Sequence, residues 1–329
     1  MTDSSPINAA ADTTADQPYR VRHVRIDAGH EGQRLDNFLL HELKGAPKSL
    51  IYRIIRKGEV RVNKKRAKPL QKLCIGDDVR VPPVRLQQSD TPPPPSAQLS
   101  RTLRERILWD DDAFMVIDKP SGLAVHGGSG ITLGLIESLR QIYPDYHHLE
   151  LVHRLDRETS GCVMIAKKRS ALRQLHAMLR EHHIDKQYHC IVHGRWPDHR
   201  TRVNVPLRKQ VLQSGERMVK PETEAGDGAK RSDTRFAVEQ VLSGPGLTLV
   251  RASPRTGRTH QIRVHAQVAG HPILGDDKYA TSEQLAEART LGVKRLLLHA
   301  SALNFRHPLT DEPVAIEAPL PEAFTRLLS

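Results

Sequence analysis

The sequence predicts an α+β fold with a mixed or antiparallel central sheet, preceded by a smaller α+β unit that is strongly basic. Three observations support this prediction. In the larger part of the chain, short strand-like runs follow one another in irregular order with few long helices, unlike a doubly wound parallel sheet. Positive charge is concentrated in the first quarter of the chain, and four successive prolines separate the two parts.

Composition limits the classes of function. The 329 residues allow one large domain or two, and the formal charge of +12 indicates an anionic partner such as nucleic acid or a membrane surface. Cys74, Cys162 and Cys190 are far apart, which argues against a disulfide framework and fits a reducing compartment. Because no apolar run approaches the ~20 residues that span a bilayer, and no signal-peptide pattern occurs, we expect a cytoplasmic protein.

The chain begins with a predicted mobile tail, residues 1–18, which is small, polar and aperiodic. The basic unit, residues 19–86, follows. Apolar residues at helical spacing in "GQRLDNFLLHEL" (32–43) and "KSLIYRIIRKG" (48–58) predict two short helices that pack together. The glycine at the end of the second run predicts its stop.

After the helices, alternation predicts a hairpin. It runs through Val60 and Val62, turns at Asn63, and returns at Val79 and Val81. Seven basic residues would crowd one end of this unit: Arg53, Arg56, Lys57, Arg61, Lys64, Lys65 and Arg66. A charge run is often only a solvated surface, but these residues lie on regular elements with few acids nearby. We therefore favour contact with RNA or DNA.

Residues 87–101 predict an extended, proline-rich linker. The larger domain, residues 102–329, then predicts six strands and two helices. The strands are "FMVIDKP", "GCVMIAKK", "YHCIVHG", "TRFAVEQVL", "LTLVRASP" and "RLLLHASALNF", and the helices are "SALRQLHAMLREH" and "HQIRVHAQVAG". The segment "KPETEAGDGAKRSD" (220–233) has the character of an inserted sequence, and we expect it to form a loop.

Four polar segments interrupt the apolar pattern of this domain. They are "DKPSGLAVHGGSG" (118–130), "HRLDRETSG" (153–161), "KQY" (186–188) and "RTGRTHQIRVH" (255–265). Asp156 carries the most chemistry, because the arginines on either side favour an ionised carboxylate that could serve as nucleophile or base. A structural ion pair or a helix cap would explain the same spacing equally well.

Three other chemistries find little support. Six histidines (His147, His148, His153, His176, His182 and His183) could suggest a metal, but no HExxH or Cys/His ligand spacing occurs. A serine hydrolase would need a G-x-S-x-G elbow, which is absent. "GGSG" lacks the lysine of a P-loop, so we interpret it as a flexible loop beside a site.

Taken together, the polar segments resemble the RluA family of pseudouridine synthases. "HRLDRETSG" is similar to the motif around the catalytic aspartate, "DKPSGLAVHGG" to the upstream strand and loop, "KQY" to the tyrosine motif, and "GRTHQIRVH…GHPILGD" to the arginine motif. "RLLLHA" matches a late apolar motif, and all five occur in the family's order across about residues 110–305. The basic unit is similar to an S4-type RNA-binding domain.

The resemblance implies a role for each matching residue. Asp156 would attack C1′ of the target uridine or remove the C2′ proton, held in an ion pair with Arg263. Tyr188 would stack on the flipped uracil and assist removal of the C5 proton, while Arg154 would fill the space that the base leaves. Leu298 would form an apolar floor. Further substrate-binding residues would be His126, Arg258 and Gln261.

The resemblance also implies 23S ribosomal RNA or its assembly intermediates as partner, with no cofactor, because the isomerisation involves no redox step. We expect a monomer, since no long exposed apolar stripe is evident. Two alternatives are a non-catalytic RNA-binding or ribosome-assembly protein and a glycoside hydrolase. The presence of Asp156, Tyr188 and Arg263 together argues against a non-catalytic protein. A glycoside hydrolase would need two working carboxylates, and Glu158 is the only second acid near Asp156 in the sequence.

Overall fold

The computed structural model describes residues 20–27, 29–43, 45–84, 93–128, 133–146, 148–211, 217–226, 228–244 and 246–329. The chain divides into two compact units, Met1–Thr91 and Pro92–Ser329. The predicted tail and the first part of the predicted linker lie outside the described residues. The linker prediction is wrong at its other end, because a helix already begins at Ala97. Ser96 caps that helix by accepting a hydrogen bond from Leu99 N.

The described residues of the first unit form four strands and two helices. In chain order they are β1 (Arg22–Arg25), α1 (Leu35–Glu42), α2 (Lys48–Lys57), β2 (Arg61–Val62), β3 (Lys65–Arg66) and β4 (Asp78–Val81). The sheet order is β1-β4-β2-β3, with antiparallel pairs throughout. Both predicted helices are confirmed, whereas β1 was not predicted. The predicted turn at Asn63 is present but leads from β2 into β3, and the predicted return strand β4 pairs with the other edge of β2.

Local sequence explains this unit well. The buried residues of α2 recur at the three- and four-residue spacing of one helix face: Ile51, Ile54 and Ile55. Gly58 ends the helix with φ of 75°, a conformation that costs glycine little. Asn63 and Lys64 both have positive φ, as a two-residue hairpin turn requires.

The second unit contains the remaining elements. Its helices are α3 (Ala97–Glu105), α4 (Leu135–Ile142), α5 (Arg169–Arg180), α6 (Gln261–Val268), α7 (Ser282–Thr290) and α8 (Glu322–Leu328). Its strands are β5 (Ile107–Asp110), β6 (Phe114–Lys119), β7 (Glu150–Leu151), β8 (Ser160–Ala166), β9 (Asp185–His193), β10 (Arg202–Val203), β11 (Leu207–Val211), β12 (Arg217–Pro221), β13 (Ala229–Lys230), β14 (Thr234–Leu242), β15 (Leu247–Pro254), β16 (Leu298–Arg306) and β17 (Pro313–Glu317). Across the described residues, no helix combines the length and the apolar character that crossing a membrane requires.

A ten-stranded mixed sheet forms the centre of this unit and confirms the predicted fold class. Its order is β10-β14-β15-β9-β16-β8-β6-β5, with β17 paired to β16 and β7 to β8. Neighbouring strands pair antiparallel except for β16 and β8, which are parallel. All six predicted strands and both predicted helices are present. Of the helices, α3, α4, α7 and α8 were not predicted.

Glycine permits the parallel pair to approach closely. Gly161 has φ of +106°, and a Cβ there would lie 2.2 Å from the backbone oxygen of Ala300. A larger residue would therefore force β8 away from β16. This close approach brings the segment before β8 next to the start of β16, where Leu298 lies.

The predicted loop at 220–233 is partly wrong. Residues from this stretch contribute to a small three-stranded sheet in the order β12-β11-β13. Its buried residues Leu207 and Val219 pack with Val264 of α6 and with Tyr279. The segment is therefore tied to α6, the helix that carries Arg263.

Candidate active site

The segment between β7 and β8 carries Asp156, and hydrogen bonds from Lys119 hold this segment to the end of β6. Lys119, fully buried at the end of β6, donates hydrogen bonds from Nζ to the carbonyl oxygens of Pro120, Leu123 and Arg157 at 2.8–3.0 Å. Burial lowers the pKa of Lys119 to about 7, and the negative charges of Glu158, Asp156 and Asp118 oppose this shift without reversing it. The "DKPSG" and "HRLDRETSG" segments are thus held together through one amino group.

Among the described residues, neither of the arginines that flank Asp156 in sequence forms an ion pair with it. Arg157 donates from Nε to the Gly122 carbonyl at 3.0 Å and lies 3.4 Å from Glu158 Oε1. Arg154 is exposed. The side chain that lies beside the Asp156 carboxylate is instead His260, whose Nε2 is 3.9 Å from Oδ2.

Arg263 also differs from expectation. Its guanidinium donates to both carboxylate oxygens of Asp276, at 2.8 and 2.6 Å, and to Asp277 at 3.2 Å. Within the described residues these are its ion pairs, so the expected pair with Asp156 is not formed. Burial opposes the charge, but Asp276 and the field of Asp156 raise the pKa of Arg263. Among the described residues, Arg263 and Asp156 are therefore near each other without a direct ion pair.

A cavity of about 540 Å³ opens beside Asp156. It is lined by Asp156 and Arg154, by Tyr188 of β9, by Leu298 of β16 and by Arg263. The pairing of β9 with β16 sets Ala300 opposite Tyr188, which explains why residues more than 100 positions apart share this wall. Burial and the charge of Asp156 raise the pKa of Tyr188, so its hydroxyl stays protonated at neutral pH.

The three further substrate-binding predictions fare differently. Arg258 is exposed and lines the cavity. His126 is exposed and lines a second cavity of about 460 Å³, which Asp156 also lines.

The prediction that Gln261 binds the substrate directly needs correction. It lines the first cavity, but its amide oxygen accepts from Thr256 Oγ1 and Arg258 N, and its amide nitrogen donates to Asp233 O and Thr234 Oγ1. Both N–H groups and both oxygen lone pairs of the Gln261 amide are used in hydrogen bonds within the protein. The side chain therefore has a structural role and is not free to bind a ligand.

Sequence reasoning did not single out three residues of the site: His260, Asp276 and Tyr279. His260 and Asp276 lie inside the quoted arginine motif, and Tyr279 follows it. Lys186, two positions before Tyr188 on β9, also lines the cavity, and burial lowers its pKa. The period-two alternation of a strand was the available signal, because it puts Lys186 and Tyr188 on one face.

The histidines do not form a metal site in the part of the chain that the structure describes. There, no three side chains of His, Cys, Asp or Glu are grouped so as to hold an ion. His153 accepts a hydrogen bond from Met164 N, and burial lowers its pKa to about 3. His147 lies outside the described residues.

The basic residues of the first unit form a surface that we call the basic cluster: Arg53, Arg56, Lys57, Arg61, Lys64, Lys65 and Arg66. All seven are exposed. Among the described residues none of them forms an ion pair with a carboxylate. Their charge is therefore available to a partner.

Comparison with known proteins identifies both units. Residues 113–268 match the RNA pseudouridylate synthase family, and residues 33–79 match the S4 domain. The first match contains Asp156, Tyr188 and Arg263.

Relatives align along nearly the whole chain. The ribosomal large subunit pseudouridine synthase C of Salmonella typhimurium is 55% identical over 312 residues, covering 94% of this chain and 96% of that protein. The protein of the same name from Pasteurella multocida is 51% identical over 310 residues, covering 94% and 93%.

Solved structures agree on the fold. Human RNA Pseudouridylate Synthase Domain Containing 4 superimposes with a TM-score of 0.56 at 27% identity, covering 70% of this chain and 94% of that one. Human RNA Pseudouridylate Synthase Domain Containing 1 gives a TM-score of 0.55 at 26% identity, covering 69% and 86%.

Proposed function

The chain belongs to the RNA pseudouridylate synthases and carries an S4 domain, and from this premise we propose that it converts specific uridines of 23S ribosomal RNA to pseudouridine with Asp156 as the reacting carboxylate. The observation that carries the proposal is the cavity beside Asp156. It joins an acidic side chain, an aromatic ring and an apolar floor, contributed by Asp156, Tyr188 and Leu298. These are the groups needed to attack a sugar and to hold a planar base.

In the reaction, the bond between uracil N1 and ribose C1′ breaks, the base turns, and C5 bonds to C1′. Asp156 either adds to C1′ or removes the C2′ proton. On the first route the bond between Asp156 and C1′ breaks when C5 bonds to C1′; on the second, Asp156 returns the proton to C2′ at that step. The C5 proton then leaves and N1 gains a proton, so substrate and product have the same composition. Because the conversion is an isomerisation without a redox step, we propose that no cofactor takes part.

A uridine in folded RNA must leave its stack before C1′ can meet Asp156. A volume of about 540 Å³ is ample for one flipped nucleotide. Tyr188 would stack on the uracil above Leu298 and assist removal of the C5 proton. Arg154, exposed on the same loop as Asp156, would fill the vacated space in the RNA.

The two cavities that meet at Asp156 suggest how the RNA runs. The flipped base would enter the cavity of Tyr188, and Arg258 at its exposed rim would contact the backbone. His126, in the other cavity, would meet a flanking nucleotide. Gln261 would act indirectly, by holding the loop that begins α6.

The basic cluster supplies affinity for the RNA backbone. Its seven exposed cations, which have no carboxylate partner among the described residues, can each approach a phosphate, and this gives salt-dependent binding. The named targets of the relatives support the ribosomal large subunit as the source of the RNA. We propose further that the protein works in the cytoplasm as a monomer. A stable dimer by size-exclusion chromatography with light scattering would contradict the monomer.

Mapping pseudouridine in 23S ribosomal RNA tests this function. Unmodified RNA is incubated without added cofactor with the wild type, with Asp156→Asn, and with Asp112→Asn, a control whose side chain is 97% exposed. We expect discrete sites with the wild type and the control, and none with Asp156→Asn. If no protein modifies any site while all bind the RNA, a purely binding role replaces the proposal. If Asp156→Asn stays active, the carboxylate has been assigned wrongly.

A further inference from the structure

His260 lies beside the reacting carboxylate, and its backbone is unusual. Its Nε2 is 3.9 Å from Asp156 Oδ2, and the two side chains are 11% and 20% exposed. The residue immediately precedes α6 and has φ of 53°, in the left-handed region. Non-glycine residues in that region are uncommon and are concentrated at functional sites.

Tyr279 determines which nitrogen of His260 carries the proton. Its hydroxyl oxygen accepts a hydrogen bond from Val219 N at 3.1 Å and lies 2.8 Å from His260 Nδ1. Tyr279 is 5% exposed, and the described residues offer its O–H group no other acceptor. A buried hydroxyl proton left without an acceptor would be costly, so Tyr279 donates to Nδ1.

It follows that Nδ1 is the acceptor and that the neutral ring carries its proton on Nε2, which faces Asp156. The assignment requires Tyr279 to stay protonated, and burial raises its pKa to about 12. Asp276 fixes the backbone of this tyrosine by accepting from Tyr279 N at 3.1 Å. The contacts from Asp276 to Tyr279 and from Tyr279 to His260 therefore determine that an N–H group of the ring faces Asp156.

Burial of the ring favours its neutral form. Burial lowers the pKa of His260, and the positive charges of Arg263 and Lys278 act in the same direction. The carboxylates of Asp156 and Asp276 oppose them without reversing the shift. At neutral pH His260 is thus an uncharged donor that points to a carboxylate.

We propose that His260 is a positioning residue for Asp156, and that its Nε2–H donates a hydrogen bond to Asp156 Oδ2 when the uridine is bound. The separation of 3.9 Å is longer than a hydrogen bond, but such bonds commonly tighten when the substrate binds. The bond would hold the plane of the carboxylate and leave Oδ1 to react with the sugar. This inference rests on the proposed role of Asp156.

The first test reads the tautomer directly. In the protein labelled with ¹⁵N at histidine, the His260 signals are assigned by their loss in His260→Asn. We expect a protonated Nε2 and an unprotonated Nδ1 in the wild type, and a mixture of tautomers in Tyr279→Phe. A protonated Nδ1 in the wild type would overturn the inference. This readout does not depend on catalysis, so it separates failure here from failure of the proposed function.

The second test measures kcat and KM with the RNA fragment that the wild type modifies. Asparagine tolerates the left-handed backbone but cannot reach the Nε2 position, whereas the amide nitrogen of glutamine can. We expect His260→Asn to lower kcat roughly 10- to 100-fold with KM nearly unchanged, and His260→Gln to recover most of that loss. Tyr279→Phe should lower kcat in the same way. This second variant tests the positioning role even if His260→Asn fails to fold.

The control is His199→Asn, at an exposed position outside the cavity. Unchanged kcat in His260→Asn, or equal losses in the asparagine and glutamine variants, would overturn the positioning role. If Asp156→Asn retained activity in the same assay, the proposed function of that carboxylate would fail instead.

Discussion

Arg263 and Asp276 form a buried ion pair with two hydrogen bonds, from Nε to Oδ2 at 2.8 Å and from Nη2 to Oδ1 at 2.6 Å. Their side chains are 3% and 0% exposed. Asp276 Oδ1 also accepts from the backbone nitrogens of Lys278 and Tyr279. One carboxylate therefore holds both the arginine and the tyrosine that surround the reacting centre.

Replacing Asp276 should be costly. Asp276→Asn removes the buried counter charge of Arg263 and leaves the exposed Asp277 carboxylate, so we expect the free energy of unfolding to fall by about 3–5 kcal/mol. The matched control is Asp277→Asn, whose side chain is 69% exposed, with an expected loss below about 1 kcal/mol. Urea unfolding measures both, and equal small losses would contradict the importance of the buried pair.

Arg154 should matter most when the uridine is stacked. We expect Arg154→Ala to slow modification of folded RNA at least tenfold more than that of an unstructured oligonucleotide, because unstacking costs a few kcal/mol only in the first. Single-turnover rates on the two substrates test this. Arg255→Ala, an exposed arginine of the same cavity, is the control, and the same loss on both substrates would argue against a wedge.

The basic cluster should be visible in the salt dependence of binding. Removing both charges in Arg53→Ala/Arg56→Ala should reduce the slope of log K against log salt by about 0.7–0.9 for each phosphate that the protein no longer neutralises. The control Arg289→Ala/Lys294→Ala removes the same charge from exposed positions of the second unit. Filter binding at several salt concentrations compares them, and equal slopes for the two double variants would contradict a role for the cluster.

Buried histidines should make the second unit sensitive to acid. Burial lowers the pKa of His153 to about 3 and the pKa values of His265 and His299 to about 4. Since these rings take up protons mainly on unfolding, their contribution to stability is complete above pH ~6.5 and is lost as the pH falls toward 4.

Near pH 5, each ring should contribute up to about 1.4 kcal/mol per pH unit to this slope. We expect His265→Gln to lower the slope of unfolding free energy against pH by about this amount, while His199→Gln serves as the exposed control. Urea unfolding at pH 5, 6 and 7 gives the slopes. An unchanged slope in His265→Gln would show that this ring is already charged in the folded state.

Local sequence was sufficient to predict the fold class, the two helices and the Asn63 turn of the first unit, and six strands of the second. These features follow from periodicity and from turn residues such as Gly58 and Asn63, whose conformations are encoded within a few positions. Sequence also identified Asp156, Tyr188, Leu298 and Arg154, which the structure brings to one cavity, although their roles remain proposals.

The partners of the charged groups depend on the tertiary structure. The family resemblance implied a pair of Arg263 with Asp156, but folding brings Asp276 to the guanidinium, where a buried carboxylate makes a bidentate contact with the buried arginine. The side chains of Gln261 and Lys119 are likewise committed to internal hydrogen bonds. The position of His260 beside Asp156 depends on residues more than 100 positions apart, and such contacts leave no periodic signal in the chain.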